Sequence, residues 1–254
     1  MFKDKYRDIS LLIDDLSTSK LIFLRSQWNV VSKAMYYNYK KSVNLLKSIS
    51  ILCFEGYANE AIILFRSLLN IYISTKWISM DKTEERSQRY VDFELVYRRK
   101  FYEKVLEYGT PPHENTEALA NNENQVNQTL LKYNIKDIND VRSWHGTTIK
   151  KMAYESGLHW EYDVFYSYLS EFEHTGPASI TEYWDGFNIQ TNPREKNVVE
   201  ILLQTIEYFL LNSFICCKHM GCSYRMYSFC KIKLDELVAK YLKEPDWYKP
   251  VMKK

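Results

Sequence analysis

The residues best spaced for chemistry in this sequence are an aspartate, a tyrosine, a serine and a histidine. Asp163, Tyr166, Ser170 and His174 are separated by steps of three, four and four, which places them on one face of a helix. Ser170 and His174 are then near enough to touch. A serine–histidine pair is a nucleophile with its base, but acyl transfer also needs an orienting acid and an oxyanion hole. The sequence has no G-x-S-x-G elbow to supply them. A general acid or base at His174 is more open, because imidazole titrates near neutrality. The plainer alternative is a helix end: a cation suits the last turn, Gly176 suits a left-handed cap, and Pro177 blocks continuation.

Two arginines are the natural complement to such a histidine. Asn59, Arg66 and Asn70 share one stripe of the otherwise apolar run GYANEAIILFRSLLNIYI. Burying an arginine is costly unless it is paired. Either Glu60 or a carboxylate on another helix holds Arg66, or its planar donors face a cavity and receive a phosphate or carboxylate. Downstream, Arg86, Arg89 and Tyr90 offer a second polar group, or else a solvated face whose ion pairs contribute little. In SWHGTTIKKMA, Trp144 and Gly146 precede a helix that Thr147 is placed to cap, and His145 is expected to be exposed at a turn. In CCKHMGC, Cys217 and Cys222 have no second pair with which to make a zinc site, so these cysteines read as buried thiols. No metal or cofactor is expected. The candidate catalytic residues are His174, Arg66 and Arg89; the candidate binding residues are Glu60, Asn70, Tyr90, Trp144, Tyr166 and Ser170.

The elements that must position these residues are helices. The 254 residues include 7 Gly and 6 Pro, too few for the turns of an all-β fold. Apolar residues at helical spacing predict helices over 3–24, over 26–54 and onward to about 79, and from a capping box at Asp81 and Glu84 to about 106. Residues 108–136 form a polar, Asn-rich excursion after the Gly-Thr-Pro-Pro loop. Further helices are expected around GTTIKKMAYESG, over 161–174, over 195–219 and over 223–243. The expected fold is therefore all-α, a single-domain multi-helix bundle of about eight helices with a long central core helix. That helix contains VVEILLQTIEYFLLNSFICC, the sole segment read as a membrane-span candidate. Glu200, Gln204 and Glu207 form a stripe on it that would be costly in lipid. A soluble core helix, with no membrane partner, is the expectation. The N-terminal segment lacks a secretory signal pattern and the cysteine count is five, so a reducing cytoplasm is expected. The balance of 34 basic against 32 acidic residues is too even for a dedicated duplex-binding domain. The 21 tyrosines suit half-buried faces and a homodimer contact.

Taken in order, GYANEAIILFRSLLNIYI, RSQRYVDF, SWHGTTIKKMA and YSYLSEFEHTGPAS resemble the domain of unknown function 5677, a group of bacterial helical proteins, over residues 45–180. The resemblance implies an all-helical protein in which Arg66, Arg89, Tyr90, Trp144, Tyr166, Ser170 and His174 are recurrent polar positions. The family often carries Glu where this sequence has Asn70, which counts against an Arg–Glu unit on that helix. The group also looks like a distant relative of the HEPN domains of toxin and phage-defence ribonucleases. Their Arg-x4-6-His motif is absent here: Arg142 and His145 are three apart, and no arginine precedes His174 at the required distance. By analogy of fold, the expectation is a bacterial defence or toxin-like protein cleaving RNA without metal, through a composite site of His174 with Arg66 or Arg89. The alternative is a non-catalytic helical module that binds a protein or a small ligand.

Overall fold

The computed structural model describes residues 2–18, 28–108, 116–173, 177, 195–223 and 225–242. The described residues form ten α-helices and no strand, so the chain is all-α. The helices are α1 (Phe2–Lys5), α2 (Arg7–Thr18), α3 (Val30–Phe54), α4 (Ala58–Ser79) and α5 (Glu85–Glu107). They continue with α6 (Thr116–Lys132), α7 (Ile149–Glu155), α8 (Ser167–Glu173), α9 (Glu195–Met220) and α10 (Arg225–Tyr241). A 3-10 turn at Ile138–Asp140 precedes α7, and a π-helical turn at Glu161–Tyr166 runs directly into α8.

Three long helices, α3, α4 and α9, pack on one another and form the centre. Their apolar spacing explains this. Met35, Tyr39, Val43, Leu46 and Ile49 of α3 are all buried. On α9, Leu202, Leu203, Ile206, Phe209 and Leu210 are at most 1% exposed, so that helix is enclosed on several faces. Each such side chain contributes about 1.5–3 kcal/mol, against about 0–1 kcal/mol for an exposed ion pair. Packing of α9, and not surface charge, therefore sets the bundle. Helices α2 and α10 close one side, the π turn, α7 and α8 pack on α4, and α5 lies on α3.

The Glu200–Gln204–Glu207 stripe finds partners inside the protein. Gln204 donates to Glu200 at 3.4 Å, and Glu207 forms a buried ion pair with Lys231 of α10. Burial raises the Glu207 carboxyl above its ordinary range, against the pull of Lys231. Two helices, α4 and α9, are long and apolar enough to cross a membrane, where the sequence suggested one. Most of each is covered by other helices of the bundle.

Local boundaries differ from expectation for identifiable reasons. The first predicted helix is divided at Tyr6, and residues 19–27 lie outside the described part. Asp81 does not open a capping box. Its carboxylate accepts the N–H groups of Thr83 (2.9 Å) and Arg86 (2.8 Å), and Glu84 takes φ +62° immediately before α5 begins. Thr148, not Thr147, caps α7, accepting the Lys151 N–H at 3.1 Å. The Asn-rich stretch forms α6, whose Val126 and Leu130 meet Phe93 and Val96 of α5 in a small separate core.

Candidate functional site

Between α3, α4 and α5 the bundle opens into a cleft of about 340 Å³, walled by the Trp144–Ile149 segment. Ser67, Asn70 and Ser74 of α4 reach it because steps of three and four keep them on one face. Helix α3 supplies Asn38 and Lys41, and α5 supplies Tyr90. Asn38 is 2% exposed, and its Oδ1 accepts the Tyr90 hydroxyl at 2.9 Å. Burial first, then the neighbouring Cys216 and Tyr37, push the Tyr90 hydroxyl up to about 12, so it stays a proton donor. The other end of the amide, Asn38 Nδ2, has no hydrogen-bond partner, and neither has Asn70 Oδ1. A buried donor and a buried acceptor thus stay unpaired in two residues that line one cleft.

The wall opposite is held by Arg89. Its Nε donates to the Trp144 carbonyl, and its guanidinium lies 4.8 Å from the Phe93 ring centroid and 4.6 Å from that of Tyr133. The backbone must come close to this guanidinium at Gly146, where an added Cβ would stand 3.1 Å from Arg89 Nη2. Gly146 also takes φ +63°, a conformation that side chains disfavour. The Trp144 ring meets Tyr90 edge-on at 4.8 Å and Trp77 at 6.0 Å, so the loop is packed as well as bonded. Next to it, His145 is half-buried rather than exposed, which corrects the expectation. Its Nδ1 accepts the Thr147 N–H at 3.3 Å, which places the neutral ring's proton on Nε2. Burial, and secondarily Arg89, hold this imidazole below its ordinary value.

Arg66 has a different setting. Its Nη2 donates to the Tyr166 hydroxyl at 2.9 Å, and its guanidinium lies 4.5 Å from that ring's centroid. Tyr162 stacks on Tyr166 at 5.0 Å. Glu60, proposed as a partner for Arg66, is exposed. The π turn also separates the predicted face. Asp163 accepts the Tyr154 hydroxyl at 2.7 Å, while Tyr166 points to Arg66. The Ser170 hydroxyl donates to the Tyr166 carbonyl at 2.8 Å, a bond within its own helix. His174 lies outside the described residues. Among the predicted residues, the cleft brings together Asn70, Tyr90 and Trp144, with Arg89 behind the wall. Arg86, read as a solvated group, instead binds the Trp77 carbonyl at 2.8 Å and stacks on the Trp77 ring at 3.9 Å.

The sequence reading passed over Asn38 and Lys41. A signal for Asn38 exists: it is a polar residue on the buried stripe of Met35, Tyr39 and Leu46, where an unpaired amide is costly. Lys41 has no such signal, since lysines on exposed helix faces are common. Comparison with curated proteins and with solved structures gives no match. The family model for a family of unknown function, DUF5677, matches residues 33–191, a span that includes the cleft and Arg66 with its tyrosine partner. With more than half of its length matched, the chain belongs to the DUF5677 family.

Proposed function

We propose that this chain is a helical ligand-binding domain and that the cleft between α3, α4, α5 and the Trp144 loop receives a small polar molecule. The observation that carries this reading is the pair of unpaired amide atoms in residues that line the cleft. Asn38 is almost fully enclosed and its Nδ2 has no partner, and Asn70, which lines the same cleft, has a buried Oδ1 without one. Leaving such a group unpaired costs about 1–3 kcal/mol, which a ligand that these amides turned to meet would recover. A volume of about 340 Å³ is at the small end of ligand sites. The test is a thermal-shift screen of the full chain against a panel of metabolites, nucleotides, amino acids and sugars, repeated with Asn70→Leu. A concentration-dependent rise in Tm that Asn70→Leu abolishes supports the reading; no Asn70-dependent rise with any compound overturns it.

A second reading, metal-independent RNA cleavage in a bacterial defence or toxin-like system in the cytoplasm, is favoured by one observation. Arg66 is held by Tyr166 on the same helical run that carries Ser170 and leads to His174. On that reading His174 is the acid or base and the arginine stabilises phosphate charge. RNA cleavage compared among the wild type, His174→Ala and Arg66→Ala tests it: equal rates, or none in any of them, remove it.

A further inference from the structure

Helix α3 carries charge of one sign. Between Val30 and Phe54 it has four lysines, Lys33, Lys40, Lys41 and Lys47, and no aspartate or glutamate. All four are exposed, and none forms an ion pair among the described residues. The basic run of α5 differs: Arg98, Arg99 and Lys104 each meet a glutamate of their own helix, and Lys100 binds backbone carbonyls. Lys33, Lys40 and Lys47 repeat every seven residues. Seven residues are two helical turns less about 20°, so the three form one row about 21 Å long. Lys41 widens the row beside the cleft, whose lining it joins. Tyr37 is three or four residues from Lys33, Lys40 and Lys41 and so shares their face, where it is 51% exposed. Trp28, two residues before the helix, is also exposed and meets the Tyr36 ring edge-on at 5.0 Å.

A row of unpaired like charge is complementary to a polyanion. This one is a single helix wide, which suits a polyanion that is itself linear. A membrane surface would also cover α2 and α5, which pack on α3 and expose Asp14 and Glu94. It would find little to take up, because the apolar side of α3 is in the core and Ile51 is its one exposed aliphatic side chain. A tyrosine ring open beside the lysines suits an unstacked base, as in a single strand, and not one held within a duplex. We infer that the exposed face of α3 binds single-stranded nucleic acid, with phosphates along Lys33, Lys40, Lys41 and Lys47 and a base on the ring of Tyr37. Contacts to phosphates and to a ring face carry little sequence information, so this binding is indifferent to base order. It goes beyond both functional readings: it needs neither the unpaired amides of the cleft nor cleavage at Arg66, and the variants that decide it touch neither.

Fluorescence anisotropy of the full chain with a labelled oligouridine tests it, over salt from about 50 to about 200 mM. On a single strand each phosphate engaged contributes about −0.7 to the slope of log K against log salt, so four lysines predict a slope of about −3. Lys40→Glu with Lys47→Glu should reduce that slope to about half and weaken binding at least about tenfold. Lys82→Glu with Lys150→Glu makes the same change in net charge at exposed lysines of other segments, and should leave slope and affinity nearly unchanged. Tyr37→Ala should weaken binding about tenfold, the worth of one stacked base, without altering the slope. Every substituted residue is exposed, and circular dichroism checks that helix content is kept. No binding at the lowest salt, or an equal loss in the two double variants, would overturn the inference. A duplex bound as tightly as the oligouridine would remove the single-strand assignment, and polyglutamate bound as tightly would remove the nucleic acid. Sedimentation with anionic vesicles that requires Lys40 and Lys47, without oligouridine binding, would give the row to a membrane surface instead.

Discussion

Asn38 is an ordinary polar residue whose setting makes it consequential: α3 carries it into the interior, Tyr90 occupies one end of its amide, and the other end is buried without a partner. Gly146 shows the same dependence on setting. Replacing it with alanine forces a side chain into φ +63° and against Arg89. The first effect alone costs about 1–2 kcal/mol, so Gly146→Ala should lower urea-unfolding stability by at least that amount. In an Arg89→Ala background the cost should shrink toward the backbone contribution without vanishing, because the contact is gone and the φ remains. Equal costs in both backgrounds would mean that Arg89 does not confine the loop. His145 makes a prediction in pH. Its folded value lies below the ordinary 6.5, so on acidification the unfolded chain takes up the proton first. The corresponding stability is present above about pH 6.5 and is lost as pH falls through the folded value. His219 shifts in the same direction through burial and Lys218. His145→Asn should therefore flatten, but not abolish, the fall in Tm between about pH 7 and about pH 5; an unchanged slope would rule His145 out as a contributor.

At the scale of elements, the π turn before α8 is what aims the tyrosine at the arginine. Its hydrogen bonds run from residue i+5 back to i, as from the Ser167 N–H to the Tyr162 carbonyl, so the extra residue rotates the faces on either side. Asp163 consequently meets Tyr154 of α7, and Tyr166 meets Arg66 of α4. Tyr166→Phe keeps the ring and removes the hydroxyl. It should cost about 1 kcal/mol in chemical denaturation, with no loss at all indicating that the ring contact suffices. On the far side, α10 is tied to α9 by Lys231 and Glu207, both nearly sealed from solvent. Lys231→Met alone strands a buried carboxylate and should destabilise by about 3–5 kcal/mol. The double variant Lys231→Met with Glu207→Leu should recover most of that loss in the same melting measurement. If the double variant were no better than the single, the pair would matter for packing volume and not for charge.

The whole molecule combines a large core around α3, α4 and α9 with a small one between α5 and α6. Among the described side chains, fewer buried ones hold α6, so its amides should exchange with deuterium well before those of α4 and α9. Uniform protection across α4 and α6 would show a single cooperative unit instead. These two cores also mark what could be read in advance. The steps of three and four in α3, and the unbroken apolar run of α9, are local records of burial, because a helix repeats its face every 3.6 residues. The all-α class and the long helices follow from them, as does the expectation that Arg66 needs a partner. Which partner it has does not follow, because Tyr166 is 100 residues away and its direction depends on a π turn that apolar spacing does not reveal. The same holds for the cleft. Asn70, Tyr90 and Trp144 are visible one by one as polar or aromatic residues of interest, but Asn38 and Lys41 join them only when α3 is laid beside α4 and α5. Local spacing thus records which residues each helix buries, whereas which polar groups meet and which stay unpaired is settled by packing, since crossing and rotation of helices are properties of the packed bundle and of no single segment.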